Sequence, residues 1–359
     1  MKQHRSMQVQ TFFIFLACFA FGGCSSKILQ VENSDKILKI DDYDKKLNIK
    51  EIEQPQAQVE VVEKKSKKSD VKPIVPGLKI EALTEEEKAT PKSKLAEKHP
   101  KKPEKKHKIL PKQPPLEDKV GFEGRRPIVD PFHVGEKVTL KLSYFNVVAG
   151  YMTVEVMPFV EVNGRKSYHF RVTGRSNSFF STFYAVDDSA ETFLDYDELI
   201  PYNMVVHVKE TKQLREVRSY FDWKKMEAKF WEKKITKKDG IEEKNLAWKI
   251  EPFAQNVFSA AFYLRTFTLE PGKTVEFRVS DNEKNMVVKG HVVRRDILQT
   301  EVGELKTLVI KPEIQIGGIF QPMGDVYFWL TDDDRKLIVR IESKIRIGTI
   351  TAAVSEIVR

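Results

Sequence analysis

From Phe132 onward the chain alternates apolar and polar residues in short runs divided by turn residues, and this repeat of two decides what it can fold into. Val138, Leu140, Leu142 and Tyr144 alternate with Thr139, Lys141 and Ser143, the pattern of a strand with one buried face. Ala149-Gly150 reads as a reversal into Met152-Val154-Val156, and Asn163-Gly164 as a tight hairpin before Tyr168-Phe170-Val172. Met204-Val206-Val208, Val217-Ser219-Phe221-Trp223 and Ala228-Phe230 continue the alternation, with Asp239-Gly240 and Pro271-Gly272 as further turns. About 13 such strands run to Ile350-Ala352-Val354, and because no strand–helix–strand spacing separates them, the sheet is expected to be antiparallel. A sheet that wide curls. The expected class is mainly β: a large antiparallel curved sheet or half-barrel over residues 131–359.

Two segments break the alternation. Asn177 to Ala185 and Phe253 to Phe267 carry apolar residues at helical spacing. In the second, Phe253, Val257, Ala261 and Leu264 share one face and Phe258 and Phe262 an adjoining one. An arc that wide predicts a buried helix, and both helices are expected to pack on the concave side of the sheet.

The start of the chain is of another kind. Lys2 and Arg5 precede an apolar run from Thr11 to Phe21, which is followed by Gly22-Gly23-Cys24-Ser25-Ser26. The run is too short to cross a bilayer as a helix and suits a signal-peptide core. Phe21-Gly22-Gly23-Cys24 resembles the lipobox of bacterial lipoproteins, although Phe21 stands where that family prefers Leu. The resemblance implies that residues 1–23 are removed, that the Cys24 sulfur carries a diacylglyceryl group, and that the membrane is a partner through it. Ser25, in place of an aspartate, implies sorting to the periplasmic face of the outer membrane. The two cysteines of the chain are Cys18, inside the apolar run, and Cys24, so no disulfide is expected in the mature protein.

Net charge points to nucleic acid at first sight, since the chain carries a formal +9. Between Lys64 and Pro115, however, 16 lysines stand against 7 acids, which accounts for the whole excess. That stretch has no aromatic residue to stack on bases, so nucleic-acid recognition is not expected. Residues 24–130 read as a disordered Lys/Pro/Glu-rich tether, because too little apolar surface is present to offset the entropy of ordering. Ile37 to Ile52 is richer in apolar residues and could order locally. Peptidoglycan and anionic lipid headgroups are the acidic partners such a lysine run fits.

Within the β region, Gly135-Glu136-Lys137, the strand ending at Ala149-Gly150, and Arg175-Ser176-Asn177-Ser178-Phe179-Phe180 running into Tyr184 come in a fixed order. Phe258-Ser259-Ala260-Ala261-Phe262-Tyr263-Leu264-Arg265 with Pro271-Gly272 follows, then Trp329-Leu330-Thr331-Asp332-Asp333-Asp334-Arg335-Lys336 and Gly348-Thr349-Ile350. This order resembles the domain-of-unknown-function family numbered 3108. The resemblance implies an exported β-rich domain with no assigned activity.

Few residues announce chemistry. The histidines after residue 24 are isolated and no cysteine partners them, so no metal site and no cofactor are expected. Asp332-Asp333-Asp334 fits turn capping better than calcium ligation. Asp187, Asp188 and Glu191 could form a carboxylate group, as could Glu313 with Asp325, but no nucleophile elbow or phosphate loop accompanies them, and an enzyme is not expected. The remaining candidates are the aromatic residues of the two helical segments: Phe179, Phe180, Phe183 and Tyr184 in the first, Phe258, Phe262 and Tyr263 in the second. Inside a curved sheet they either fill a dry core or line a groove for an acyl chain or another apolar ligand. The expected role is a non-enzymatic envelope lipoprotein presenting a β domain for binding or scaffolding. A lipid carrier or receptor is the alternative, and a hydrolase with an unrecognised site a second one.

Overall fold

A computed structural model of the protein describes residues 27–52, 126–316, 319–322, 325–345 and 348–358. The expected signal peptide, Cys24 and the Lys/Pro-rich stretch 53–125 lie outside the described residues. Sixteen strands are found among those described, against about 13 expected from the pattern. Near the N-terminus come α1 (Ser34–Leu38), α2 (Asp41–Asp44) and β1 (Ile49–Glu51). The first half of the sheet holds β2 (Lys137–Tyr144), β3 (Val147–Val162), β4 (Arg165–Ser176), β5 (Asp187–Asp195), β6 (Asn203–Lys209), β7 (Gln213–Asp222), β8 (Glu227–Thr236) and β9 (Gly240–Lys249), with α3 (Ser178–Ser181) between β4 and β5. After α4 (Val257–Tyr263) come β10 (Thr274–Asp281), β11 (Lys284–Thr300), β12 (Gly303–Ile316), β13 (Ile319–Pro322), β14 (Asp325–Thr331), β15 (Ile338–Ile345) and β16 (Gly348–Val358).

One antiparallel sheet joins them, in the order β10-β11-β12-β14-β15-β16-β2-β3-β4-β5-β6-β7-β8-β9, with β1 paired to β3 and β13 to β12. The sheet curls until its edges meet. They meet through side chains: Trp248 Nε1 donates to Ser280 Oγ at 2.8 Å, Lys244 Nζ to Asn282 Oδ1 at 2.6 Å, and Asn285 Nδ2 to the Lys249 carbonyl at 2.9 Å. Between them Gln255 lies along β10, accepting from the Ser280 N–H and donating to the Arg278 carbonyl.

Turn chemistry sets the register. Asn163 and Gly164 both take positive φ, 53° and 84°, as a two-residue hairpin between right-twisting strands demands, and Val162 pairs with Arg165 across it. The expected reversal at Ala149-Gly150 is corrected: the chain turns at Phe145-Asn146 instead, with φ of 47° and 61°. Gly150 lies inside β3. A Cβ there would run into the Arg175 carbonyl oxygen of β4, so the glycine serves close strand approach, not a turn.

The two ends of the curled sheet differ. The upper rim carries the Phe145-Asn146 tip, α3 and the β6–β7 turn; the lower rim carries the Asn163-Gly164 hairpin, the β5–β6 connection and the Asp332–Lys336 turn. In that last turn Asp333 Oδ1 accepts from the N–H of Arg335 at 3.1 Å and of Lys336 at 2.9 Å, the capping that its sequence suggests.

Helix α4 sits within the curl, as expected for its apolar arc. Phe262 joins the large cluster that includes Phe170 of β4 and Val326 and Phe328 of β14. Phe258 packs with Met204, Val206, Val217 and Phe230 of β6–β8. The segment 177–185 does not do the same. Its helix is four residues long, with Phe179 and Phe183 exposed. Its hydroxyls bond locally instead: Thr182 Oγ1 donates to the Phe179 carbonyl at 2.6 Å, and Ser181 Oγ meets Ser176 Oγ at 2.7 Å. Such bonds compete with helix extension.

Residues 27–52, which the sequence places in the tether, are folded onto the domain and correct that expectation for this stretch. They form a strap over the outer face of β7 and β8. Leu29 buries against Leu214 and Ile235 near the upper rim. Tyr43 packs edge-on to Trp231 and accepts a 2.8 Å hydrogen bond from Asn203 Nδ2. β1 then pairs with the lower end of β3, Ile49 opposite Val162. The apolar content of Ile37 to Ile52 is the sequence's trace of this contact.

Candidate functional site

Helix α4 is fixed at both ends by polar contacts. At its start Asn256 and Ser259 form a reciprocal capping box, and Asn256 Nδ2 also donates to Thr192 Oγ1 at 2.9 Å and the Asn203 carbonyl at 2.8 Å. Four otherwise unpaired N–H groups open any helix, and here the residue that caps them ties the helix to β5 and β6 as well. In the short turn that directly follows α4, Arg265 is buried. Its Nη1 lies 2.7 Å from Glu136 Oε1 and its Nη2 2.9 Å from Oε2, while Nη2 also reaches the Pro131 carbonyl at 2.7 Å and Nε the Arg335 carbonyl at 2.9 Å. Arg335 Nη2 adds a second bond to Glu136 Oε2, at 2.9 Å. Four of the five N–H donors of Arg265 are thereby engaged, by both oxygens of a carboxylate and by two carbonyls.

Phe258, Ala261, Phe262 and Arg265 recur at helical spacing, and all four border one pocket of about 90 Å³. The facing wall is built by strand register. Val138, Val154 and Val172 form one row across β2, β3 and β4, since Val138 pairs with Val154 and Val154 with Val172. Val326 and Phe328 of β14 and Ile341 of β15 supply much of the rest. The walls are apolar. The charged residues among the lining, Glu136 and Arg265, are bound to each other, so the pocket offers shape and apolar contact and no unspent charge on those two groups.

The sequence-predicted residues divide accordingly. Phe258 and Phe262 line the pocket with one face and pack with the other; the Phe262 ring stacks on Phe170 with centroids 4.0 Å apart. Core and lining are thus the same side chains. Tyr263 is fully buried against Phe267 and Phe277 and does not border the pocket. Phe179, Phe180, Phe183 and Tyr184 are not among its lining either; Tyr184 donates to Glu210 Oε2 at 2.6 Å. What pattern reading missed is the polar end. Arg265 follows an apolar helical run at the spacing of Phe258 and Ala261, and a charge on a buried face demands a buried partner, which was the available signal for Glu136.

A second polar cluster lies near the upper rim. Asp188 accepts from the Lys209 N–H at 2.9 Å, and burial, then the Glu210 carboxylate nearby, push its carboxyl up to about 8. Glu191, in contrast, bonds His169 Nε2 at 2.9 Å and Arg171 Nε at 2.9 Å, and the His169 bond foremost holds it down at about 2. The expected group of Asp187, Asp188 and Glu191 therefore does not converge: Asp187 pairs with Arg175 at 2.6 Å, and each acid has its own partner.

A family model described as "Protein of unknown function (DUF3108)" matches residues 137–355. No curated protein matches the chain. Among solved structures, a beta-barrel-like protein of the domain of unknown function DUF1849 from Brucella abortus is similar at 10% identity over 62% of this chain and 96% of its own, with a TM-score of 0.38. A protein with a YmcC-like fold from Bacteroides fragilis is similar at 8% identity over 64% of this chain and 98% of its own, with a TM-score of 0.30.

Proposed function

This chain belongs to the DUF3108 family, whose description assigns no activity, and from that premise we propose that it is a lipid-anchored binding module of the bacterial cell envelope whose curled sheet receives an alkyl chain. The pocket between α4 and the β2–β4 and β14–β15 walls carries this reading. A dry apolar void of about 150 Å³ holds benzene, so a pocket of about 90 Å³ takes the end of an alkyl chain and not a whole lipid. The mutual pairing of Glu136 and Arg265 supports a binding role over a catalytic one. Cys24 is the anchor in this reading, at the periplasmic face of the outer membrane, and the lysine-rich stretch is the contact for cell wall or anionic lipid.

The pocket is tested by filling it. Ala261 borders it from the helix and is only half-buried, so Ala261→Leu adds volume there without displacing the Phe262–Phe170 stack. A fluorescent fatty acid should bind the wild-type chain, and the variant should bind it at least about tenfold more weakly, the equivalent of one or two buried methylenes, with an unchanged or higher Tm. A wild-type chain that binds no such probe would sink the alkyl-chain reading. Cys24→Ser, in parallel, should leave the protein removable from the membrane by high salt, and a variant that stays with membranes at high salt would refute the anchor.

A further inference from the structure

Among the described residues, the largely exposed phenylalanines gather at the upper rim. Phe145 is 67% exposed, Phe179 63% and Phe183 61%, and Val147 and Ile345 join them at 52% and 42%. These residues sit on adjoining elements. Asn177, which caps α3, donates its side chain to the Val148 carbonyl at 2.6 Å and its N–H to Ala149 at 2.9 Å. The Cβ position of Gly348, at the start of β16, lies 3.2 Å from the Phe145 ring. Phe145 holds a left-handed φ of 47°, a conformation strained for a bulky residue and readily adopted by glycine or asparagine. A strained, exposed phenylalanine at a hairpin tip serves something other than stability.

The path of the chain brings the first of the described residues to this rim. The Leu29 N–H bonds the Glu210 carbonyl in the β6–β7 turn at 2.9 Å. The same turn holds the end of the α3 segment: the Thr211 N–H reaches the Ala185 carbonyl at 3.0 Å and Thr211 Oγ1 accepts from the Ala185 N–H at 2.8 Å, two residues beyond Phe183. Five residue steps separate Cys24 from Leu29, at most about 18 Å of chain. An acyl chain on Cys24 would therefore start within that reach of Leu29 and the β6–β7 turn, while the strap leads away from Leu29 down the outer face. Exposed Lys27, Lys209, Lys237 and Lys238 surround the same end of the molecule, with Asp239 among them.

We propose that the upper rim, with Phe145, Phe179 and Phe183 at its tip, rests on the surface of an anionic phospholipid bilayer. The proposal rests on the anchor reading of Cys24 and deepens it: the domain lies against its membrane and does not hang from a long spacer. Lysines meet the headgroups and the phenylalanines enter the interface. The rim also leads toward the pocket, since Leu142 of its lining pairs with Gly150, and Gly150 with Ser176 where α3 begins.

The test separates rim from anchor. In the chain carrying Cys18→Ser and Cys24→Ser, no other thiol remains, and an environment-sensitive fluorophore is placed on Phe179→Cys or, at the lower rim, on Lys224→Cys. With vesicles of phosphatidylethanolamine and phosphatidylglycerol, the label at 179 should shift to the blue and be quenched by headgroup-proximal spin-labelled lipid, and the label at 224 should not. Phe179→Ser with Phe183→Ser should lower the vesicle-bound fraction at least about tenfold at unchanged Tm, since both rings are exposed. Equal quenching at the two positions, no vesicle binding, or an unaffected double variant would overturn the proposal in favour of a protein partner on the rim. The mass of the natural protein extracted from membranes reports the anchor on its own. An unacylated Cys24 with the rim signals intact refutes the anchor alone, and an acylated Cys24 with a silent rim refutes the docking alone.

Discussion

Asp188 is a residue where pH acts directly on the fold. Its carboxyl is raised from the ordinary 3.8 to about 8 by burial and by Glu210, so between those values the folded state holds a proton that the unfolded state has lost. Stability from this site is then fully present below 3.8 and is lost as pH rises from there to about 8. Asp281, raised to about 6 by burial, acts in the same direction at lower pH, so the window above 6.5 isolates Asp188. Between pH 6.5 and 8, Asp188→Asn, which keeps the acceptor for the Lys209 N–H, should remove a decline of order 2 kcal/mol. Thermal melts of both proteins across that window check it, and parallel Tm curves would show that Asp188 is ionised throughout. Nothing in the sequence forecasts this pair. Asp188 was legible as one of several neighbouring acids, but Glu210 reaches it across β5 and β6, and spacing along a strand carries no information about the next strand. Phe258 and Phe262 were legible for the opposite reason, because helical spacing is local and burying them needs only one helix.

Among elements, the strap has the most immediate consequence. Its ends are held differently: Leu29 by the upper turn, Tyr43 by Asn203 and Trp231, and β1 by backbone pairing with β3. The Lys-rich stretch thus leaves the domain at Ile52 and returns to it at Arg126, whose guanidinium lies 4.1 Å from the Tyr196 ring. Trypsin should cut first between Lys64 and Lys112, where the sequence is dense in lysine and proline. The nicked protein should nonetheless run as one species in native size exclusion and as two in denaturing electrophoresis. Tyr43→Ala should release the strap peptide after nicking, with dissociation at least about tenfold faster given the buried ring. A strap that separates from the nicked wild type at once would show that it adds no stable contact. The hairpins at Asn163-Gly164 and Asp239-Gly240 were readable because the glycine in each supplies a required positive φ. Gly150 misled for a physical reason: one residue type serves both sharp turns and close strand approach, and only the neighbouring strand tells them apart.

At the scale of the whole molecule, fourteen strands lie in one continuous hydrogen-bonded path, and the antiparallel class was legible from the period of two because each strand buries one face. The closure was not, since it depends on Trp248, Ser280, Lys244 and Asn282 meeting from strands remote in sequence. Amides on the outer side of β9 lack a ladder partner, and its side chains are largely exposed. In hydrogen exchange, residues 240–249 should therefore exchange ahead of β3 and β4, which are paired on both sides. Equal protection would mean that the edges form a backbone ladder in solution. A tube welded along its length has one bore, fixed by the register of its strands. This one is laced. Its circumference is set by a few side-chain ties that can lengthen or let go without a single ladder bond being broken, so its bore is not fixed by strand register alone.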